Sequence, residues 1–215
     1  MRTISQAVEE ALARSPFLSE VVIEGVGNNA EIARRLKPAV EKRLLEEVSQ
    51  SAIAMALHRF GKAIRRPVYG SRFLKQLNDI TVRSNLIEYV FKNSKETADI
   101  LEDISRIVAK SDAFFSFSCG LHDTIVIVST EFERNIDALL SKQEDLHKTP
   151  ALSAITMRLP EESLSVPGVY YPILKALALE GVNFEEIMSV RTELSIIFHD
   201  RDVDRAFAIL KRITS

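Results

Sequence analysis

The stretch Val166-Pro-Gly-Val-Tyr-Tyr-Pro-Ile-Leu-Lys-Ala-Leu-Ala-Leu-Glu-Gly-Val-Asn183 decides how the last third of this chain reads. Ahead of it, residues 154–159 (AITMRL) read as a short strand. Pro167-Gly168 breaks that strand and opens a helix in which Val169, Ile173, Leu174, Leu177 and Ala178 recur at helical spacing. Gly181 follows the last periodic residue, where a glycine takes the left-handed conformation a helix C-terminus needs. Residues 184–190 and 194–199 read as two more strands and 203–212 as a second helix. The order is strand, helix, strand, strand, helix.

Working toward the N-terminus, residues 79–140 repeat that order. Residues 80–84 and 86–91 are strand-like. Residues 93–109 form a helix with Ile100, Leu101, Ile104, Ile107 and Val108 inward. Two strands (114–118 and 124–128) and a helix (131–140) follow. Residues 123–140 lie without gaps on 193–210 at an offset of seventy positions. Ile125-Val-Ile-Val128 then falls on Ser195-Ile-Ile-Phe198, and Ile136, Leu139 and Leu140 fall on Ala206, Ile209 and Leu210. We read this as an internal duplication.

Residues 1–77 read as helical. Thr3 and Gln6 have capping-box spacing ahead of Ala7, Val8, Ala11 and Leu12. Asn28 caps a short helix carrying Ile32, Ala33 and Leu36 that is expected to stop near Pro38. Residues 39–48 add another helix or turn, and Ser49 caps a longer helix with Ile53, Ala56, Leu57 and Phe60 on one face. Short helix, connector and longer helix resemble a helix-turn-helix, with residues 49–64 in the recognition position. A small bundle that docks on the rest of the protein or dimerises is the alternative. The run from Arg59 to Lys75 holds Arg59, Lys62, Arg65, Arg66, Arg72 and Lys75 and no acid. Such cations serve phosphate contacts or a solvated surface equally well.

At 215 residues and 46% hydrophobic content the chain is long enough for two or three small domains with packed cores. We divide it into a helical module (1–78), a degenerate unit (79–148) and a second unit (149–215). No apolar run reaches the ~20 residues of a membrane span. The N-terminus lacks a signal-peptide core, and Cys119 has no internal disulfide partner. These features lead us to expect a cytoplasmic protein with no membrane partner.

The strand, the Pro-Gly-Val turn, the helix, Gly-Val-Asn and the two strands together resemble an ACT domain, closely the regulatory ACT units of aspartate kinases. The resemblance covers roughly the last third of the chain. It implies an α+β fold in which the helical module precedes two ferredoxin-like (βαββα) ACT-type units. It also implies a small effector, an amino acid or a relative, held between units in a homo-oligomer. The middle unit departs from the pattern, with Ser94-Lys95-Glu96 in place of Pro-Gly and Ser111-Asp112-Ala113 in place of Gly-Val-Asn. Each unit also lacks the fourth strand of a ferredoxin-like sheet. That leaves the edge of its first strand to be covered by residues 80–84, by the other unit or by a second molecule.

An amino-acid carboxylate wants N–H donors, which a helix start supplies together with the positive end of its dipole. Its ammonium wants acceptors such as the Asn183 side chain. The expected effector site is therefore Val166, Pro167, Gly168, Val169, Asn183 and Phe184. Arg59, Lys62, Arg65 and Arg66 are the expected nucleic-acid contacts if the front module binds DNA.

No catalytic residue, cofactor site or metal site emerges. Asp200, Asp202 and Asp204 imitate an EF-hand loop, but Arg205 and Lys211 stand where its glycine and glutamate belong. His58, His122, His147 and His199 are scattered without metal-ligand spacing. The chain reads as a non-catalytic, allosteric regulatory protein. A DNA-binding transcriptional regulator and a structural or assembly protein with a vestigial site are the alternatives.

Overall fold

The computed structural model describes residues 2–63, 71–77, 79–109 and 111–214. The chain divides into two compact units, Met1–Val68 and Tyr69–Ser215.

The first unit contains α1 (Ile4–Ala13), α2 (Pro16–Ile23), α3 (Asn29–Leu44) and α4 (Gln50–Ala63) among its described residues. The Thr3–Gln6 capping box forms in both directions, and the Asn28 side chain accepts from the N–H groups of Ala30 and Glu31. Ser49 accepts from Ala52 N–H at the start of α4. Leu12, Ala33, Val40, Ile53 and Leu57 fill the core with almost no exposure.

The expected stop at Pro38 does not occur, and α3 runs through it to Leu44. A proline inside a helix costs about 3 kcal/mol or more. Here Ile32, Ala33 and Leu36 before it and Val40 after it share one buried face, and their burial outweighs that cost. Close approach of α4 to α2 depends on Gly61, where an added Cβ would stand 2.6 Å from the carbonyl oxygen of Val22.

The second unit holds α5 (Ser71–Leu74), β1 (Ile80–Lys92), α6 (Thr97–Val108), β2 (Phe115–Cys119), β3 (Asp123–Ser129) and α7 (Glu133–Leu140). It continues with β4 (His147–Arg158), α8 (Tyr171–Leu179), β5 (Glu186–Val190), β6 (Glu193–His199) and α9 (Asp200–Thr214). The six strands form one antiparallel sheet in the order β2-β3-β1-β4-β6-β5. Its two halves, β2-β3-β1 and β4-β6-β5, mirror one another about the β1–β4 seam. β3 and β6 begin and end seventy residues apart, in keeping with the duplication. The place of each half's missing fourth strand is taken by the first strand of the other half; of the covers expected from the sequence, residues 80–84 and the other unit both serve, since residues 80–83 pair with residues 154–157 of β4.

Residues 80–84 and 86–91, read as two strands, are one strand interrupted at Asn85, where φ is +60° and the register with β4 slips. The same irregularity at Ala151 (φ +58°) divides β4.

Cross-strand partners share a face of a sheet. Ile87 and Tyr89, opposite Val128 and Val126, pack with Ile104 of α6 and Ile136 of α7. Ile155, opposite Ile196, packs with Ile173 and Leu177 of α8 and with Ala206 of α9. The alternate residues Leu86, Ile127, Leu152, Ala154, Met188 and Ile197 form a single cluster spanning both halves. Helices α6, α7, α8 and α9 therefore cover one face, and the other face is a shared apolar floor. The sheet curls over that floor: residues of its two edge strands, Ser116 of β2 and Met188 of β5, line one cavity.

Candidate functional site

Pro167 and Gly168 do not begin α8 directly. They form the turn between a 3-10 segment, Glu161–Ser165, and the first helical residue, Tyr171. Gly168 has φ +73°, a conformation that a side chain disfavours. Its carbonyl accepts from Tyr171 N–H at 3.1 Å, and Val166 N–H bonds back to Ser163 at 3.1 Å. The N–H groups of Gly168 and Val169 have no hydrogen-bond partner among the described residues. Pro167 and Gly168 are exposed, whereas Val169 is half-buried against the core beneath α8. Tyr170 anchors the turn to β5, its hydroxyl 2.7 Å from Ser189 Oγ.

Asn183 and Phe184 lie at the other end of the same helix. Gly181 (φ +65°) ends α8 as expected. The N–H groups of Gly181 and Val182 bond to the carbonyls of Ala178 and Leu177, and Val182 and Leu177 are both buried in the same cluster. Asn183 is exposed, Phe184 half-buried, and Glu185 N–H joins the chain to Ile197 on β6 at 2.8 Å. Nine helical residues at ~1.5 Å each separate the two groups by about 13 Å. Within one chain the fold brings Val166, Pro167, Gly168 and Val169 together and keeps Asn183 and Phe184 apart from them.

Glu88 has no place in the sequence-based site. It lies on the floor side of β1 at 5% exposure, and its Oε1 has no hydrogen-bond partner among the described residues. Burial, then the negative charges of Glu186 and Glu185, push its carboxyl above the ordinary carboxylate range, opposed by a hydrogen bond from Thr149. Glu186 is shifted the same way by its own burial and by Glu185. Glu185 in turn meets His199 Nε2 at 2.9 Å. The sequence signal was a lone acid in the otherwise apolar run Leu86-Ile-Glu-Tyr-Val-Phe91.

On the helix side the polar groups are matched. Tyr89 donates to Asp137 at 2.9 Å, and Lys148 donates to both oxygens of Asp137 at 2.7 Å. The hydrogen bond from Lys148, ahead of that from Tyr89, holds the Asp137 carboxyl below its ordinary range.

A cavity of about 450 Å³ opens where β4 leaves the sheet, between Asp79, Arg158 and Glu161. Arg191 bonds Glu161 through Nε at 3.2 Å and Nη2 at 2.6 Å, holding its carboxyl low. The turn at Gly168 does not line this cavity.

In the first unit Arg59 and Lys62 are exposed on α4, and Arg59 reaches Ser5 Oγ at 3.5 Å. The connector between α3 and α4 spans residues 45–49. Arg65 and Arg66, together with the end of the expected recognition helix at Ile64, lie outside the described residues. Asp200 and Asp202 occupy the first turn of α9, where acids favour the helix dipole, and Asp200 accepts from Ser153 at 2.6 Å. Among the described residues no three His, Cys, Asp or Glu side chains are grouped to hold a metal ion, and no helix is long and apolar enough to cross a membrane.

A six-stranded sheet built from two βαββα halves, with α6, α7, α8 and α9 on one face, defines a paired ACT-type fold. Among solved structures this is the fold of aspartate kinase regulatory regions. The chain superposes on the aspartate kinase of Clostridium acetobutylicum with a TM-score of 0.54 and 12% identity, over 65% of this chain and 35% of that one. It matches the ligand-free regulatory subunit of aspartate kinase from Thermus thermophilus with a TM-score of 0.52 and 12% identity, over 65% of this chain and 98% of the subunit. Aspartate kinase from Synechocystis gives 0.52 and 16%, over 69% and 28%. The chain thus spans about a third of the length of the whole kinases it resembles and nearly all of the separate regulatory subunit. No family model and no curated protein matches it in sequence.

Proposed function

We propose that the chain is a non-catalytic regulatory protein whose paired ACT-like halves bind an amino acid or a similar small zwitterion. The observation that carries this reading is that the N–H groups of Gly168 and Val169, in the turn ahead of α8, have no hydrogen-bond partner among the described residues. They are suited to a carboxylate, and the left-handed glycine keeps the approach clear of a side chain. The likeness to a regulatory subunit of aspartate kinase supports a regulatory role. Since Gly168 and Asn183 stand at opposite ends of one helix, a single ligand touching both is held between two copies of the chain, as a homo-oligomer. Ligand binding would act on a partner enzyme or on transcription to the extent that it favours one arrangement of the copies over another. Calorimetric titration with the common amino acids, repeated on Gly168→Asn, tests this. The reading requires saturable binding that the substitution removes.

A second reading places DNA on the first unit, supported by the exposed Arg59 and Lys62 on α4 beyond a five-residue connector. It requires binding to duplex DNA that weakens with salt and that charge reversal at Arg59 and Lys62 weakens further. If DNA does not bind at low salt, the unit serves as a protein-docking or assembly element.

A further inference from the structure

Glu88 is a buried acid that the turn at Gly168 does not use. It is 5% exposed, on the floor side of β1, opposite Ile127 of β3 and Thr149 of β4. Thr149 gives its carboxyl a hydrogen bond, and Oε1 is left with none among the described residues. No cation pairs with it among the described residues. A carboxylate held in this way is costly, because a buried charge needs both a counter-charge and hydrogen bonds.

The groups that share its face come from every other strand. β3 presents Ile125 and Ile127, and β2 the hydroxyl-bearing Ser116 and Ser118 opposite them. β4 adds His147, which is exposed and lies opposite Val90. β5 carries Glu186, opposite Ile197 of the floor, and Glu185 stands just ahead of it. Glu185 is engaged by His199 of β6, whose Nε2 lies 2.9 Å away, whereas Glu186 has no ion pair among the described residues.

Two strands, β4 and β6, separate β1 from β5 in the sheet. The charges of Glu186 and Glu185 nonetheless act on Glu88, so they reach it across the curl. β1 is held on both sides, by β3 and β4, but β5 is an edge strand bonded to β6 alone. When Glu88 and Glu186 both carry charge, the strand free to move is β5.

We propose that Glu88 and Glu186 form a proton-operated latch between the two halves of the sheet. With Glu88 protonated, β5 stays folded over the floor. When Glu88 releases its proton to solvent, β5 swings out and water reaches the carboxylate. The cavity lined by Ser116 of β2 and Met188 of β5 widens in that step. In the open arrangement the carboxyl titrates near its ordinary 4.5, and in the closed one above it. Between those two values a rise of one pH unit multiplies the open population by up to about tenfold for each carboxyl released.

Hydrogen–deuterium exchange of the full chain, corrected for the intrinsic pH dependence of amide exchange, tests the latch between about pH 5 and about pH 8. Protection of the β5 amides should fall with rising pH, by up to about tenfold per unit for each carboxyl, and should be insensitive to low urea, the mark of a local opening. Glu88→Gln, which keeps the shape of the side chain, should flatten that dependence, and Glu88→Gln combined with Glu186→Gln should abolish it. Protection at β5 that does not change with pH overturns the proposal. So does exchange at β5 as sensitive to urea as that of β3, since the chain then opens only by unfolding as a whole. A pH dependence that survives Glu88→Gln in full also overturns it, and assigns the titration to His147 or His199.

Discussion

Asn85 and Ala151 hold equivalent places in the two halves of the sheet. Each is left-handed, at φ +60° and +58°, and each stands one residue before a leucine, Leu86 and Leu152, that pair directly across the seam. The two irregularities shift the register of β1 against β4 on either side of the Leu86–Leu152 pair. Without them Leu86 and Leu152 would rotate off the floor they share. Asparagine tolerates this conformation, whereas alanine holds it against a steric cost of about 1–2 kcal/mol. Ala151→Gly should therefore raise the stability of the chain by about 1 kcal/mol in urea titration, and Ala151→Val should lower it. Equal melting of all three would mean that the bend at residue 151 carries no strain.

Glu88 gives the stability a pH dependence opposite in sign to that of the paired acids. A carboxyl raised by burial contributes fully below its unfolded value of 4.5, and that contribution is lost as pH rises through the higher folded value. Acidification from neutral pH toward 4.5 should stabilise the chain, and Glu88→Gln should remove part of that gain, Glu186 being raised in the same direction. At pH 7 the substitution is expected to add about 1 kcal/mol, because a carboxylate with an unbonded buried oxygen is replaced by a neutral amide. Melting curves across pH 4.5–7.5 (roughly the window set by a raised carboxyl) decide this. A wild-type profile identical to that of Glu88→Gln would contradict it.

Asp137 behaves the other way. Lys148 and Tyr89 hold its carboxyl below 3.8, so its contribution is present above that value and is lost as pH falls through the lowered one. Asp137→Asn should destabilise the chain at neutral pH and flatten the loss of stability below pH 3.8. If the variant's acid limb matches the wild type, the contacts to Lys148 and Tyr89 are not coupled to folding.

Gly61 is a packing requirement of the first unit. A Cβ at 2.6 Å from Val22 O meets backbone, which cannot rotate away, so α2 and α4 must separate. Gly61→Ala should cost about 1–3 kcal/mol despite alanine's better helix propensity. An increase in stability would show that α2 yields freely.

Much of the second unit was legible because its chemistry is local. Gly181 needed only its place after an apolar stripe, and the offset between residues 123–140 and 193–210 exposed the duplication before any coordinate. Asn85 and Ala151 were hidden because nothing in either side chain announces a left-handed turn inside a strand. Pro38 misled because helix propensity is a local cost and burial of Ile32, Ala33, Leu36 and Val40 is a tertiary gain. The residues of the candidate site at α8, and their place at opposite ends of one helix, were legible from the Pro167-Gly168 and Gly181-Val182-Asn183 motifs; the 3-10 segment Glu161–Ser165 ahead of the turn was not. Ser116 and Met188, on the two edge strands, line one cavity only because the sheet curls, and no sequence pattern encodes that.

The central claim is that the N–H groups of Gly168 and Val169, unbonded among the described residues, receive the carboxylate of a small zwitterion. Its most direct measurement is thermal denaturation with each common L-amino acid. At least one amino acid should raise the melting temperature, and adding Gly168→Asn, which keeps the left-handed turn but places a side chain in the approach, should abolish the rise. No rise with any amino acid, or a rise that survives Gly168→Asn, would contradict the account.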